Sequence, residues 1–176
     1  SRAAFKLLEL NEKFKFINKN SNILDIGAYP GGWSQVCSEI VDSGKILSLD
    51  LKKIDKIKNV SILECNFLEE KSKKKVLAFF EKKIDLIISD MAANTTGNKA
   101  LDCIRTNQLC TDVINYSSEI LKPEGVLVSK VFMGEDFIET KNLAKSKFKK
   151  VQFFKPESSR NESKETYLHC SILKTL

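Results

Sequence analysis

Leu24-Asp25-Ile26-Gly27-Ala28-Tyr29-Pro30-Gly31-Gly32-Trp33 is the stretch whose reading decides the fold. An apolar strand, 21–26, runs into a turn holding three glycines and a proline, and a helix-like segment, 34–41, follows at once. Glycine lets the backbone take a positive φ and lets a ligand come close. The helix that follows offers its first N–H groups to that ligand. Strand, glycine turn and helix together build a nucleotide-type pocket at the edge of an open parallel sheet. The spacing Gly27-x-x-x-Gly31-Gly32 is not the G-x-G-x-x-G of a dinucleotide site. A pocket for an adenosine without a diphosphate remains, and a nicotinamide-dependent oxidoreductase becomes the weaker reading.

Outward from this turn, short apolar runs alternate with helical stretches. Residues 3–16 carry apolar side chains at helical spacing, Ala4, Leu7, Leu8 and Phe14. Strands are predicted over 45–51, 60–65, 84–89, 126–132, 151–154 and 166–173, and helices over 69–81, 100–121 and 135–145. Lys122-Pro123-Glu124-Gly125 reads as the stop signal of the long helix. The run 84–89 is apolar throughout, as a strand covered on both faces must be. The alternation implies an α/β fold with a mostly parallel sheet of seven strands and helices on both faces. At this length, residues 1–176 are read as a single domain.

In such sheets ligands bind beyond the carboxyl ends of the strands. Asp25 and Gly27 end the first strand, Asp50 the second, Asn66 follows the third and Asp90 the fourth. Asp50, about two dozen residues after the glycine turn, stands where a carboxylate meets ribose hydroxyls. Lys130 interrupts the apolar run Val126-Leu127-Val128-Ser129-Lys130-Val131-Phe132. A lysine there is costly to bury unless it is paired, which points to a functional amine.

The 29 Lys and Arg against 23 Asp and Glu leave a formal charge of +6, which suits a polyanion such as nucleic acid. Cys37, Cys65, Cys103, Cys110 and Cys170 have no C-x-x-C spacing, so reduced thiols in a reducing compartment are expected. No metal site is expected, since ligands do not cluster. His169 is the sole histidine, which disfavours histidine-based triads and leaves Lys, Asp or Glu as the base. No apolar run is long enough to cross a membrane. With Ser1 in place of a methionine, the sequence is read as part of a longer chain. A cytoplasmic location is expected, or a mitochondrion or plastid if a targeting segment lies upstream.

Five segments in order carry a family resemblance. They are Ser1-Arg2-Ala3-Ala4-Phe5-Lys6-Leu7, the turn 25–33, Ser89-Asp90-Met91-Ala92-Ala93-Asn94, Val128-Ser129-Lys130-Val131-Phe132, and 155–160 running on through Lys164-Glu165-Thr166-Tyr167. Together they resemble the FtsJ/RrmJ family of S-adenosylmethionine-dependent RNA ribose 2′-O-methyltransferases, over essentially the whole chain. The resemblance implies a Rossmann-like methyltransferase fold and a catalytic tetrad at Lys6, Asp90, Lys130 and Glu165. It implies S-adenosyl-L-methionine held by Asp25, Gly27, Pro30, Gly31, Gly32, Trp33, Asp50, Asn66 and Asp90. Asn66 stands where the family has an aspartate, and Ala93 where it has a proline.

The segments 90–97 and 155–165 look like the branch acting on large-subunit ribosomal RNA, with a uridine as the expected target. Transfer RNA, an mRNA cap, or a non-catalytic RNA-binding role are the alternatives. The partner is thus RNA, the protein is expected to act as a monomer, and no membrane is involved. On this reading Lys130 is the general base and a nearby Lys6 depresses its pKa. Arg2 and the 158–160 segment are possible phosphate contacts, with a plain solvent-exposed turn nearly as good an account.

Overall fold

A computed structural model describes residues 1–175, so Leu176, the last residue of the expected domain, lies outside the described residues. The elements run α1 (Arg2–Phe14), β1 (Ile23–Ile26), α2 (Gly32–Ile40), β2 (Ile46–Asp50), β3 (Ser61–Glu64), α3 (Glu70–Phe80), β4 (Ile84–Ser89), α4 (Lys99–Ile120), β5 (Leu121–Phe132), α5 (Phe137–Lys147), β6 (Phe148–Phe154) and β7 (Glu165–Leu173). They form one seven-stranded sheet in the order β3-β2-β1-β4-β5-β7-β6. Strands β1 to β5 pair in parallel, and β7 runs antiparallel to both β5 and β6. This is the mostly parallel α/β sheet expected from the alternation of strands and helices, and the Rossmann-like methyltransferase arrangement that the family resemblance implies.

Side chains that alternate along each strand explain the two helical layers. Ile23, Leu86, Ile88 and Val128 pack on Leu7 and Leu10 of α1 and on Val36 and Cys37 of α2. Their sequence neighbours Leu24, Ile87 and Leu127 face the other way, onto Val76 of α3, Val113 of α4 and Ala144 of α5. Each fully buried aliphatic side chain stabilises the fold by about 1.5–3 kcal/mol.

The end of α1 fixes where β1 begins. Ser1 caps the helix by accepting from the Ala4 N–H at 3.2 Å. At the other end, Asn11 Oδ1 accepts from the Phe16 and Ile17 N–H groups at 3.0 and 2.9 Å, turning the chain toward the sheet.

Strand β5 departs from expectation. It begins at Leu121, not Val126, and runs through the segment read as a stop signal. The register with β4 slips between Ile84↔Leu121 and Leu86↔Val126, so the strand bulges there. A bulge tolerates Pro123, which has no N–H to give to a ladder. Lys122 Nζ closes the irregular stretch by donating to Asp85 Oδ1 at 2.7 Å.

Candidate active site

Beyond the carboxyl ends of β1, β2 and β4 lies a hollow of about 550 Å³. Gly27, Asp50, Asn66, Asp90, Met91 and Arg105 are among the residues that line it. Gly27 has φ +70°, and a Cβ there would lie 1.9 Å from Met91 Cγ. Only glycine leaves that space. Asp50 accepts from the Tyr29 N–H on Oδ2 at 2.9 Å and from the Lys52 N–H on Oδ1 at 2.8 Å. Each oxygen keeps a free lone pair. Asn66 Oδ1 accepts from the Leu68 N–H at 3.0 Å.

Asp90 joins this hollow to a cluster in which four distant segments bring their charges together. Lys6 Nζ from α1 donates to Glu165 Oε1 of β7 at 2.6 Å. Lys130 Nζ from β5 lies 3.2 Å from Glu165 Oε2 and 3.3 Å from Asp90 Oδ1. All four side chains are at least four-fifths buried: the most exposed, that of Asp90, is 19% exposed. Two ammonium groups and two carboxylates balance, so the cluster is tolerable out of water.

Glu165 stands between the two lysines and accepts one on each oxygen. The expectation that Lys6 depresses the Lys130 pKa is therefore not met. Burial pulls Lys130 down, but the Asp90 and Glu165 carboxylates outweigh it, and its pKa lies above the ordinary lysine value. Burial also pushes the Asp90 carboxyl up, against the pull of Lys130 and Tyr167. Glu165 is held low by Lys130 and Lys6 despite its burial.

The profile of the FtsJ-like methyltransferases matches residues 1–172. This chain belongs to the FtsJ-like methyltransferase family. Among curated relatives of this FtsJ-like chain are proteins named Ribosomal RNA large subunit methyltransferase E. That of Pelagibacter ubique is 45% identical, over 99% of this chain and 86% of the relative. That of Rickettsia akari is 45% identical, over 96% of this chain and 77% of the relative. A solved structure described as a ribosomal RNA methyltransferase of Plasmodium falciparum superposes with a TM-score of 0.86 at 33% identity, covering 98% of this chain and 97% of that one.

Sequence reasoning missed one member of this FtsJ-like site. Tyr167 Oη donates to Asp90 Oδ1 at 2.5 Å and lies 3.1 Å from Glu165 Oε1. Burial first, then these two carboxylates, hold its hydroxyl protonated far above the usual range. The signal was there: on a strand, residue 167 shares a face with residue 165. Ser159 Oγ adds a further donor to Glu165 Oε1 at 3.3 Å.

The expected cofactor residues divide into two groups. Gly27, Asp50, Asn66 and Asp90 line the hollow, whereas Asp25, Pro30, Gly31, Gly32 and Trp33 do not. Asp25 is wholly buried under the turn, where Ser34 Oγ donates to it at 2.6 Å, and burial pushes its pKa up to about 7. Gly31 has φ +123°, and a Cβ there would lie 2.9 Å from Ile57. A Cβ on Gly32 would lie 3.0 Å from Ser1 Oγ, so Gly32 lets the start of α1 approach α2. Trp33 Nε1 donates to the Ala3 carbonyl at 2.7 Å, and its ring sits 5.6 Å from that of Tyr167. Trp33 thus fixes the helix that carries Lys6. Pro30 is exposed beside these contacts.

Among the described residues no group of three or more His, Cys, Asp or Glu is arranged to hold a metal, and no helix is long and apolar enough to cross a membrane. All five cysteines are free, and four are buried.

Proposed function

We propose that this chain transfers a methyl group from S-adenosyl-L-methionine to a ribose 2′-hydroxyl of large-subunit ribosomal RNA. The observation that carries this reading is the Lys6–Glu165–Lys130–Asp90 cluster, joined through Asp90 to a hollow with adenosine-type partners. The names of the curated relatives support ribosomal RNA as the substrate.

The residues present suit the cofactor. Asp50 retains acceptor capacity for a ribose diol. Asn66 replaces a carboxylate by an amide whose oxygen can accept a second hydrogen bond, from an adenine amine. Gly27 keeps the floor of the hollow free of a Cβ. When bound, S-adenosyl-L-methionine supplies an electrophilic methyl on a sulfonium sulfur.

The chain's own residues then have distinct tasks. Lys6 Nζ and Glu165 hold the 2′-hydroxyl in line with the methyl; such alignment is worth up to about 7–11 kcal/mol of barrier. Lys130 Nζ, in its uncharged form, would take the hydroxyl proton as the 2′-oxygen bonds the methyl carbon and the carbon–sulfur bond breaks, the neutral thioether being the leaving group. Asp90 and Glu165 then stabilise the resulting ammonium. Tyr167 keeps Asp90 turned toward Lys130.

The test is incubation with methyl-labelled S-adenosylmethionine and, separately, large-subunit rRNA, large ribosomal subunits and tRNA. Alkaline hydrolysis follows, which a methylated 2′-oxygen blocks. Label in alkali-resistant dinucleotides from the ribosomal substrates is expected. Label on a base, or none on any ribosomal substrate, contradicts the reading.

A further inference from the structure

A second hollow, of about 510 Å³, lies at the opposite end of the sheet from the one beside Asp90. Asn22, Lys45, Asp85 and Lys122, at the amino ends of β1, β2, β4 and β5, line it, and Glu81 and Lys82 close it from the end of α3. None of Lys6, Asp90, Lys130 or Glu165 lines it.

The floor of this hollow is held in one geometry. The Asn22 N–H donates to Asp85 Oδ2 at 2.7 Å, and the Asn22 carbonyl accepts from the Asp85 and Leu86 N–H groups at 3.1 and 3.2 Å. Its side-chain Oδ1 accepts from the Lys45 N–H at 2.9 Å. Gly44 brings the neighbouring turn against this floor, since a Cβ there would lie 1.9 Å from the Ser21 carbonyl oxygen. The Asp42 and Ser43 N–H groups hold that turn down on the Lys19 carbonyl at 2.6 and 3.0 Å.

One group in this frame has no partner. With Oδ1 committed to Lys45, the orientation of the Asn22 amide is fixed, and its Nδ2 makes no hydrogen bond among the described residues. Asn22 is only 9% exposed, and it lines the hollow. A donor so far out of water is costly without an acceptor.

The charges around it favour an acceptor that is an anion. Lys122 Nζ and Asp85 Oδ1 cancel in a pair at 2.7 Å. That leaves Lys45 and Lys82 against Glu81. Lys45 Nζ gives one proton to the Phe79 carbonyl at 3.1 Å and keeps two. The same bond covers a carbonyl in the last turn of α3 that would otherwise repel an anion. A fixed amide donor between ammonium groups matches phosphate oxygens, which accept charge-assisted hydrogen bonds.

We propose that this hollow is a second binding site, which takes a phosphate group through Asn22 Nδ2, Lys45 and Lys82. A phosphodiester of an RNA strand and a small free phosphate present the same oxygens to it. The site stands apart from methyl transfer and does not rest on that reading.

The experiment is a heteronuclear NMR titration of the whole chain that follows the Asn22 side-chain amide. The probes are inorganic phosphate, chloride at matched ionic strength, and a short single-stranded oligoribonucleotide. Phosphate moves the Asn22 amide resonances saturably, and chloride leaves them in place. Asn22→Asp keeps the acceptor for Lys45 but replaces the donor by a carboxylate; read at the Lys45 and Gly44 backbone amides, phosphate affinity falls about tenfold or more. Lys45→Gln and Lys82→Gln, both at exposed positions, each weaken phosphate about 2- to 5-fold, and carry the test alone if Asn22→Asp does not fold. Lys74→Gln, exposed on α3 and outside the hollow, leaves the affinity unchanged.

If the oligoribonucleotide moves the same resonances at lower concentration than phosphate, the source is an RNA backbone; otherwise it is a small phosphate. No shift with either phosphate probe, a shift that chloride reproduces, or unchanged affinity in both Lys45→Gln and Lys82→Gln overturns the site.

Discussion

Lys6 and Glu165, 159 positions apart in the chain, meet at 2.6 Å in an ion pair that is almost wholly buried. The pair joins the first helix to the last strand, and Lys130 shares its carboxylate. Glu165→Gln keeps the shape but removes the charge that both lysines face. Turnover is expected to fall about 10²- to 10⁴-fold, the range typical of groups that position or move a proton. Cofactor affinity, measured by calorimetry, should change less than threefold, because Glu165 does not line the hollow.

The state of Lys130 sets the pH dependence. Its carboxylate neighbours hold its pKa above the ordinary lysine value, so the free enzyme carries an ammonium there at neutral pH. A base must be uncharged to accept a proton, and its uncharged fraction grows tenfold per pH unit below the pKa. Thus kcat/KM on rRNA should rise about tenfold per unit across the range from neutral to pH 9. A profile that levels off below neutral pH would assign the proton to another group.

Two buried groups off the reaction path shape acid stability in opposite directions. His169 stacks on Phe14 at 4.2 Å, its Nδ1 has no partner, and burial lowers its pKa to about 4. Its contribution is complete above pH 6.5 and is lost as pH falls toward 4, at about 1.4 kcal/mol per unit. Asp25, raised by burial to about 7, stabilises at low pH and loses that contribution as pH rises through 7. The two slopes offset each other between pH 4 and 6.5. Asp25→Asn exposes the histidine: denaturant unfolding of this variant should lose about 3 kcal/mol more than the wild type on going from pH 6.5 to 4. Parallel pH curves for the two proteins would refute the offset.

Glu9 ties α1 to the segment before β7. Its carboxylate accepts from the Glu157 N–H at 2.6 Å and the Ser158 N–H at 3.0 Å. Ser159, the next residue, reaches Glu165. Glu9→Ala should lower stability by about 1–3 kcal/mol. It should also speed limited proteolysis within 155–164 and lower kcat more than it raises KM. Wild-type proteolysis and kcat in that variant would remove Glu9 from this role.

Much of this architecture was legible because its determinants are local. The apolar run of β4 and the glycine turn after β1 carry their own periodicity and backbone demands, and β4 begins and ends where the pattern puts it. Strand β5 reads short in the sequence because Pro123 and Gly125 are local stop signals, whereas a pairing partner, β4, carries the strand through them with a bulge. Lys130 stood out as a charge among apolar neighbours. Its protonation is not legible there, because it depends on which carboxylates arrive from β4 and β7, a matter of tertiary geometry. Trp33 and Gly32 sit in the motif expected to touch a ligand, yet they pack α1 against α2, a task that spacing alone cannot separate from binding. Strand alternation puts Tyr167 on the face of Glu165, but its contact with Asp90, 77 positions away, depends on tertiary geometry.

The most direct measurement is single-turnover methyl transfer to large-subunit rRNA by Lys130→Ala, with cofactor binding followed in the same preparation. Methylation lost by at least about 10²-fold, with S-adenosylmethionine bound as tightly as by the wild type, is the predicted result. Transfer at the wild-type rate, or loss that follows only from failed cofactor binding, would contradict Lys130 as the group that takes the ribose proton.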